Sequence, residues 1–267
     1  ATGPLAASSD ARVTSIGPWS AAPDTVHQRV DVGGYKLYVE CVGTGTPTVL
    51  LDDAGYLDVW QVVQQKVGAF TRTCSYDRAG MGLSDPGPTP ITTAHLARDL
   101  HRLLTRAHIP GPFILVGNAF GGTTVRLFSS RYGKGVAGVV LLDAIPPQLL
   151  SGDTVNGYYV DFDTSRRQVE SAGPLGALPL VVLSHGIGLT LPETVERKWG
   201  RYERGLAGLS SNSVYIIASR SGYGAMPLLQ SGLVVAAIQE VMLAMRSPSH
   251  RLEPCGFSYV VYGARCL

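Results

Sequence analysis

Short apolar runs alternate with stretches of helical spacing along most of this chain, and that alternation limits the fold more than anything else in it. YKLYVECVG (35–43), TVLLDDAG (48–55), TRTCSYDRAG (71–80) and GPFILVGN (111–118) have the length and β-branched content of strands. VAGVVLLDA (136–144), LPLVVLSHG (178–186) and SVYIIAS (213–219) continue the series. Between them, LDVWQVVQQKVGAF, TTAHLARDLHRLLTRAHI (92–109) and PETVERKWGRYERGLAGL read as helices, and LVVAAIQEVMLAM (233–245) closes the pattern. In the second of these, Leu96, Leu100, Leu103 and Leu104 share one face. Strand runs that are apolar throughout and separated by helices predict an α/β fold: a mostly parallel central sheet with helices on both faces. In such sheets, functional groups gather beyond the carboxyl ends of the strands.

The length of 267 residues and a 45% hydrophobic content suit one sizeable core. Five segments are expected. Residues 1–26 form a loose Ala/Ser/Pro/Gly arm, and 27–144 and 178–248 form the two parts of the core. Residues 145–177 are longer than a minimal crossover and predict a short lid, and 249–267 form a tail. The chain starts with Ala rather than Met, which suits an arm left after removal of a targeting segment. Export is the expectation, with a cytoplasmic location as the alternative.

A net charge of +2 with scattered Lys and Arg gives no field for nucleic acid, and no run of 18 apolar residues predicts a membrane span. The four cysteines and six histidines show none of the usual metal-ligand spacings. No dinucleotide or phosphate-loop fingerprint is present, so no cofactor is expected, and the expected partner is a small molecule. Oligomeric state is left open.

The stretch LVGNAFGG (115–122) has small residues where a strand turns sharply into a helix, as in a nucleophile elbow. Its central residue is Ala119, which has no hydroxyl to attack a carbonyl.

These segments resemble the α/β-hydrolase superfamily, in its secreted or actinobacterial-type esterase-like branch. The resemblance is carried by residues 41–52, by YDRAGMGLSD within 71–85, by GPFILVGNAFGG (111–122) and by VAGVVLLDA (136–144), and it runs from about residue 27 to 246. It implies that Ala119 replaces the nucleophilic serine and Asn118 the histidine before it. It also implies that Tyr223, in SGYGAMPLLQSG, occupies the position of the catalytic histidine. Two such losses fit a natural departure better than an engineered alanine. Backbone N–H groups at Ala54 and Phe120 are the expected oxyanion donors. Of Asp52 and Asp53, beside that loop, one reads as a desolvated acid/base group, or else one caps the loop and the other faces water. Asp143 reads as a pocket acid or a loop cap, His185 as a pocket group or a loop contact, and Tyr223 as a proton donor or a filler. The family pattern makes Asp77 and Arg78 a structural pair, with Ser84 and Asp85 capping the next turn.

The resemblance also makes the strands of Cys41 and Cys74 neighbours. That implies a cross-strand disulfide, with Cys255–Cys266 as the second, against the alternative of buried thiols. A fold without its Ser-His pair implies a noncovalent acid/base enzyme, of cyclase, lyase or isomerase type, using Asp53, Tyr223 and Asp143. A ligand-binding pseudoenzyme and an inactivated ester hydrolase are the alternatives.

Overall fold

Residues 25–53, 57–152, 154–155, 157–186, 192–247, 249–253 and 256–266 are described by the computed structural model of the protein. The expected N-terminal arm (apart from its last two residues), Ala54 and Cys255 lie outside the described residues, and so does any test of a Cys255–Cys266 bond.

The apolar runs form β2 (Lys36–Val42), β3 (Thr48–Asp52), β4 (Thr73–Tyr76), β5 (Phe113–Asn118) and β6 (Val136–Leu142) of one sheet, continued by β9 (Leu180–His185) and β10 (Ser213–Ala218). A strand that the sequence reading did not foresee, β1 (Val26–Asp31), pairs with β2 in antiparallel fashion. The sheet order is β1-β2-β4-β3-β5-β6-β9-β10-β11, and β3 through β10 within it run parallel. This is the α/β-hydrolase arrangement. The last strand, β11 (Ala264–Cys266), pairs antiparallel with β10, so the tail expected to be a loop extends the sheet.

Both faces of the sheet are covered, which explains why the strands are apolar throughout. Leu50, Leu115, Val139, Leu141 and Val182 face α2 (Thr93–Arg106) and α3 (Gly121–Tyr132). The intervening residues Val49, Leu51, Ile114, Val116, Val140 and Val181 face α1 (Gln61–Gly68) and α7 (Ser231–Arg246). Period-two alternation thus separates two cores across one sheet. In α2, Leu96, Leu100, Leu103 and Leu104 are all buried, and Thr92 caps its first turn by accepting a 3.3 Å bond from His95 N–H.

The 145–177 segment holds a 3₁₀ turn (Pro147–Leu149), a hairpin of β7 (Thr154–Val155) and β8 (Tyr158–Tyr159), and α4 (Phe162–Glu170). Its Leu150, Val160 and Phe162 bury against Leu96 and Phe120, just past the end of β5. The remaining helices are α5 (Glu193–Ala207), α6 (Met226–Leu229) and α8 (Phe257–Val261). Cys41 and Cys74 face one another across the antiparallel β2–β4 pair and form a disulfide. No helix among the described residues is long and apolar enough to cross a membrane.

Candidate functional site

The turn between β5 and α3 is held by packing rather than by its central side chain. Ala119 sits in the left-handed region at φ 49°, which costs a non-glycine residue on the order of 1 kcal/mol and needs support from its surroundings. Its N–H donates to the Leu142 carbonyl at 2.9 Å, and its own carbonyl accepts from Ile145 N–H at 3.1 Å. Around it, a Cβ on Gly121 would lie 2.3 Å from the Asp52 carbonyl oxygen, and one on Gly122 would lie 2.3 Å from the Ala144 Cβ. Helix and strands therefore approach closely because these positions are glycine. The strand thus turns sharply into the helix, with a methyl group at the apex of the turn. Phe120, the next residue, is buried against Phe162, and a cavity of about 10 Å³ separates it from the β7–β8 hairpin.

Asp52 and Asp53 part company at the end of β3. Asp52 was expected beside the oxyanion loop. Instead its carboxylate turns to the α3 side, the face of Leu50, and accepts from Arg78 Nη2 at 2.8 Å and Nε at 3.1 Å. Arg78 also donates to Thr124 Oγ1 at 3.1 Å. Burial pushes the Asp52 carboxyl up to about 6 while the Arg78 guanidinium pulls it back. The carboxylate that Arg78 grips is thus Asp52, not the adjacent Asp77. Asp77 Oδ2 accepts from Leu83 N–H, which ties down its own turn. Asp85 does not cap a following turn but reaches back to β1 and β2, accepting from Arg29 and from Lys36 N–H. Asp53 faces the other way and accepts from Asn118 Nδ2 at 2.8 Å. Asn118 Nδ2 also approaches the Gly224 carbonyl at 3.5 Å.

The ends of β6 and β9 build a second group. Asp143 is fully buried and, like Ala119, adopts a left-handed backbone, at φ 45°. Its Oδ1 accepts from His185 N–H and lies 2.8 Å from His185 Nδ1, while its Oδ2 accepts from Gly224 N–H at 2.8 Å. A proton on Nδ1 satisfies this pairing and leaves Nε2 as an acceptor. Nε2 lies 3.9 Å from Glu196 Oε1. Beside it, Ser184 Oγ donates to buried Glu203, whose other oxygen has no hydrogen-bond partner among the described residues. Burial first, and the Asp143 charge second, hold the Glu203 carboxyl well above its usual range. The Tyr223 ring stands edge-on to His185 at 5.8 Å and to Trp199 at 4.9 Å. Its phenol is likewise raised, by burial and then by Asp143, Glu203 and Asp53, so it stays neutral and can donate. Asp143, His185 and Glu203 each offer a ligating atom within 4.8 Å of the others, the one grouping among the described residues spaced to hold a cation.

The structure therefore joins Asp53, Asn118, Asp143, His185 and the Tyr223–Gly224 loop, and sets Asp52 apart. Along the strand itself no carboxylate adjoins Ser184 and His185. The acids come from α5, where Glu196, Trp199 and Glu203 recur at i, i+3 and i+7 and so share one helix face. That spacing is the signal that was available. His185 and Glu196 also line an open groove of about 850 Å³, whose wall carries Arg197, Arg201, Arg204 and Arg265.

Known proteins fit this picture at the level of the fold. Residues 54–210 match the family model described as alpha/beta hydrolase fold, and the match stops before the Tyr223 loop. An uncharacterized protein of Bacillus subtilis is 25% identical over 199 residues, covering 68% of this chain and 78% of its own length. An uncharacterized vacuolar membrane protein of Saccharomyces cerevisiae is 32% identical over 136 residues, but the match covers 43% of this chain and only 21% of the yeast protein. A thermophilic esterase from Thermogutta terrifontis has a TM-score of 0.62 at 18% identity, with 83% of this chain and all of that one covered. The enol-lactonase from Burkholderia xenovorans gives 0.59 at 15%, with 81% of this chain and all of that one covered.

Proposed function

This chain belongs to the alpha/beta hydrolase fold family, and we propose that it is a noncovalent acid–base enzyme acting on a small organic metabolite. The observation that carries this reading is the Asp143–His185 pair: a histidine oriented by a buried acid and bordering a groove of about 850 Å³. His185 is the proton-transfer group and Asp143 positions it. Tyr223 donates a hydrogen bond to a substrate oxygen. Asp53, held by Asn118, supplies a second acid/base group on the elbow side. The arginines of the groove favour a substrate carrying negative charge. With Ala119 at the apex no acyl-enzyme forms, and the reactions open to such a site are eliminations, isomerisations and cyclisations. The 145–177 segment acts as a short lid, and the Cys41–Cys74 bond suits an exported protein.

The test is incubation of the purified protein with metabolite extracts, with small-molecule consumption followed by mass spectrometry. A compound consumed by the wild type, and spared when His185→Gln replaces it, is the expected result. Labelling of the wild type by a serine-directed fluorophosphonate, together with ester hydrolysis at an enzymatic rate, would overturn it. A second reading has one observation in its favour: backbone N–H groups already occupy both Asp143 oxygens. On that reading the cluster is scaffolding in a ligand-binding pseudoenzyme or an inactivated ester hydrolase. A compound that is retained unchanged by the wild type would single out the binding form.

A further inference from the structure

Arg126 lies in the second turn of α3 and is only 7% exposed, yet no carboxylate, carbonyl or hydroxyl among the described residues meets its guanidinium. Its Nη1 is wholly buried with no hydrogen-bond partner. A buried guanidinium without a counter-charge costs several kcal/mol, so native chains rarely keep one idle. Arg78 makes the contrast on the same sheet face, since it is also buried but is gripped by Asp52 and Thr124. Burial alone pushes Arg126 down to about 10, so it remains a cation at neutral pH.

Arg126 also lines a cavity of about 340 Å³ between α3, the Pro147–Leu149 turn and α5. That volume is at the lower end of small-molecule sites. Pro147, Leu206 and Leu209 give it apolar walls, Gln148 and Tyr202 add polar ones, and exposed Arg201 and Glu170 stand at its edge. We infer that this cavity is a binding site for a small organic carboxylate, whose headgroup pairs with the Arg126 fork while its apolar body lies against Leu206 and Leu209. Planar carboxylates match a guanidinium through two parallel hydrogen bonds, which explains arginine rather than lysine at a buried position. Arg201 borders both this cavity and the groove at His185, but Arg126 lines only the cavity, so variants at Arg126 test this inference apart from the chemistry proposed at His185.

Benzoate and inorganic phosphate are the probes, and calorimetric titration of the wild-type chain is the measurement. Benzoate is expected to bind more tightly than phosphate. Arg126→Met should weaken benzoate by roughly 10- to 100-fold, the loss of a charge-assisted hydrogen bond. The same variant, without ligand, should melt no lower than the wild type, because it removes an unpaired buried charge. A merely structural arginine would give the opposite shift. Arg126→Lys keeps the charge without the fork and should weaken benzoate less than Arg126→Met; it serves if the methionine variant does not fold. Absence of benzoate binding, phosphate binding as tightly as benzoate, or unchanged affinity in the folded variants would each overturn the proposal.

Discussion

Two buried charge groups stand at the carboxyl ends of this sheet, and they differ in balance. At the end of β3, one acid meets one base: Asp52 and Arg78 are both nearly inaccessible and joined by two hydrogen bonds. At the ends of β6 and β9, three buried carboxyls, Asp143, Glu196 and Glu203, surround a single imidazole. The first group pairs its charges through Asp52 Oδ1, leaves Asp52 Oδ2 without a hydrogen-bond partner among the described residues, and holds two strand ends and α3 together. The second gathers several carboxyls around one imidazole, and burial followed by the Asp143 charge holds the Glu203 carboxyl well above its usual range. A balanced pair is stable and chemically inert, whereas an unbalanced cluster has a proton to give or to share.

That difference is open to measurement. The largest effect is expected from Arg78→Ala, which leaves Asp52 buried and unpaired and should lower unfolding free energy by about 3–5 kcal/mol. Urea denaturation reads this, and a loss under about 1 kcal/mol would remove the structural role assigned to the pair. Gly121→Ala drives a methyl into the Asp52 carbonyl and should cost roughly 1–3 kcal/mol.

The unbalanced cluster should respond in the opposite direction. A carboxyl whose pKa is raised on folding contributes most below its unfolded value, 4.5 for glutamate, and loses that contribution as pH climbs through the raised value. Glu203→Gln removes this dependence and keeps an acceptor for Ser184. Its stability should exceed the wild type's at pH 8 by at least about 1 kcal/mol, the worth of one pKa unit. The gain should shrink toward pH 4, and thermal melts across that range would reveal a flat difference if Glu203 were ordinarily ionised. The smallest effect is expected from Ala119→Ser, under about 0.5 kcal/mol, because glycine packing maintains the turn. Fluorophosphonate should leave this variant unlabelled, because the group proposed on the elbow side is the Asp53 carboxylate rather than an imidazole, and rapid labelling would mean that a histidine reaches the elbow.

Periodicity made the sheet legible before any coordinates. Strands buried on both faces must be apolar throughout, and that pattern survives in one dimension. β1 and β11 were less visible because edge strands are partly exposed and mixed in polarity, and β11 is only three residues long. At the site, Ala119, Asn118 and Asp143 were legible because they end strands whose direction was already known. Asp52 was misread because one step along a strand reverses the face, and face alone sent it to Arg78 rather than to Asn118. Glu196 and Glu203 were missed because a helix rich in charge looks solvated until one stripe of it is found buried.

The Asp143 carboxylate has one more consequence, for the order of assembly. Its bonds reach 42 residues onward to His185 and 81 to Gly224, and Asn118 reaches 106 residues to the same glycine. Closing loops of that size is slow and is rewarded only when the intervening strands are already in place. The carboxylate works as a coincidence detector: its two partners, His185 and Gly224, meet only in a finished sheet, so a half-made chain carries no half-working site. Hydrogen exchange at Gly224 N–H should accordingly follow global opening, and exchange far faster than the β5 and β6 amides would show the loop to be a late, separable addition.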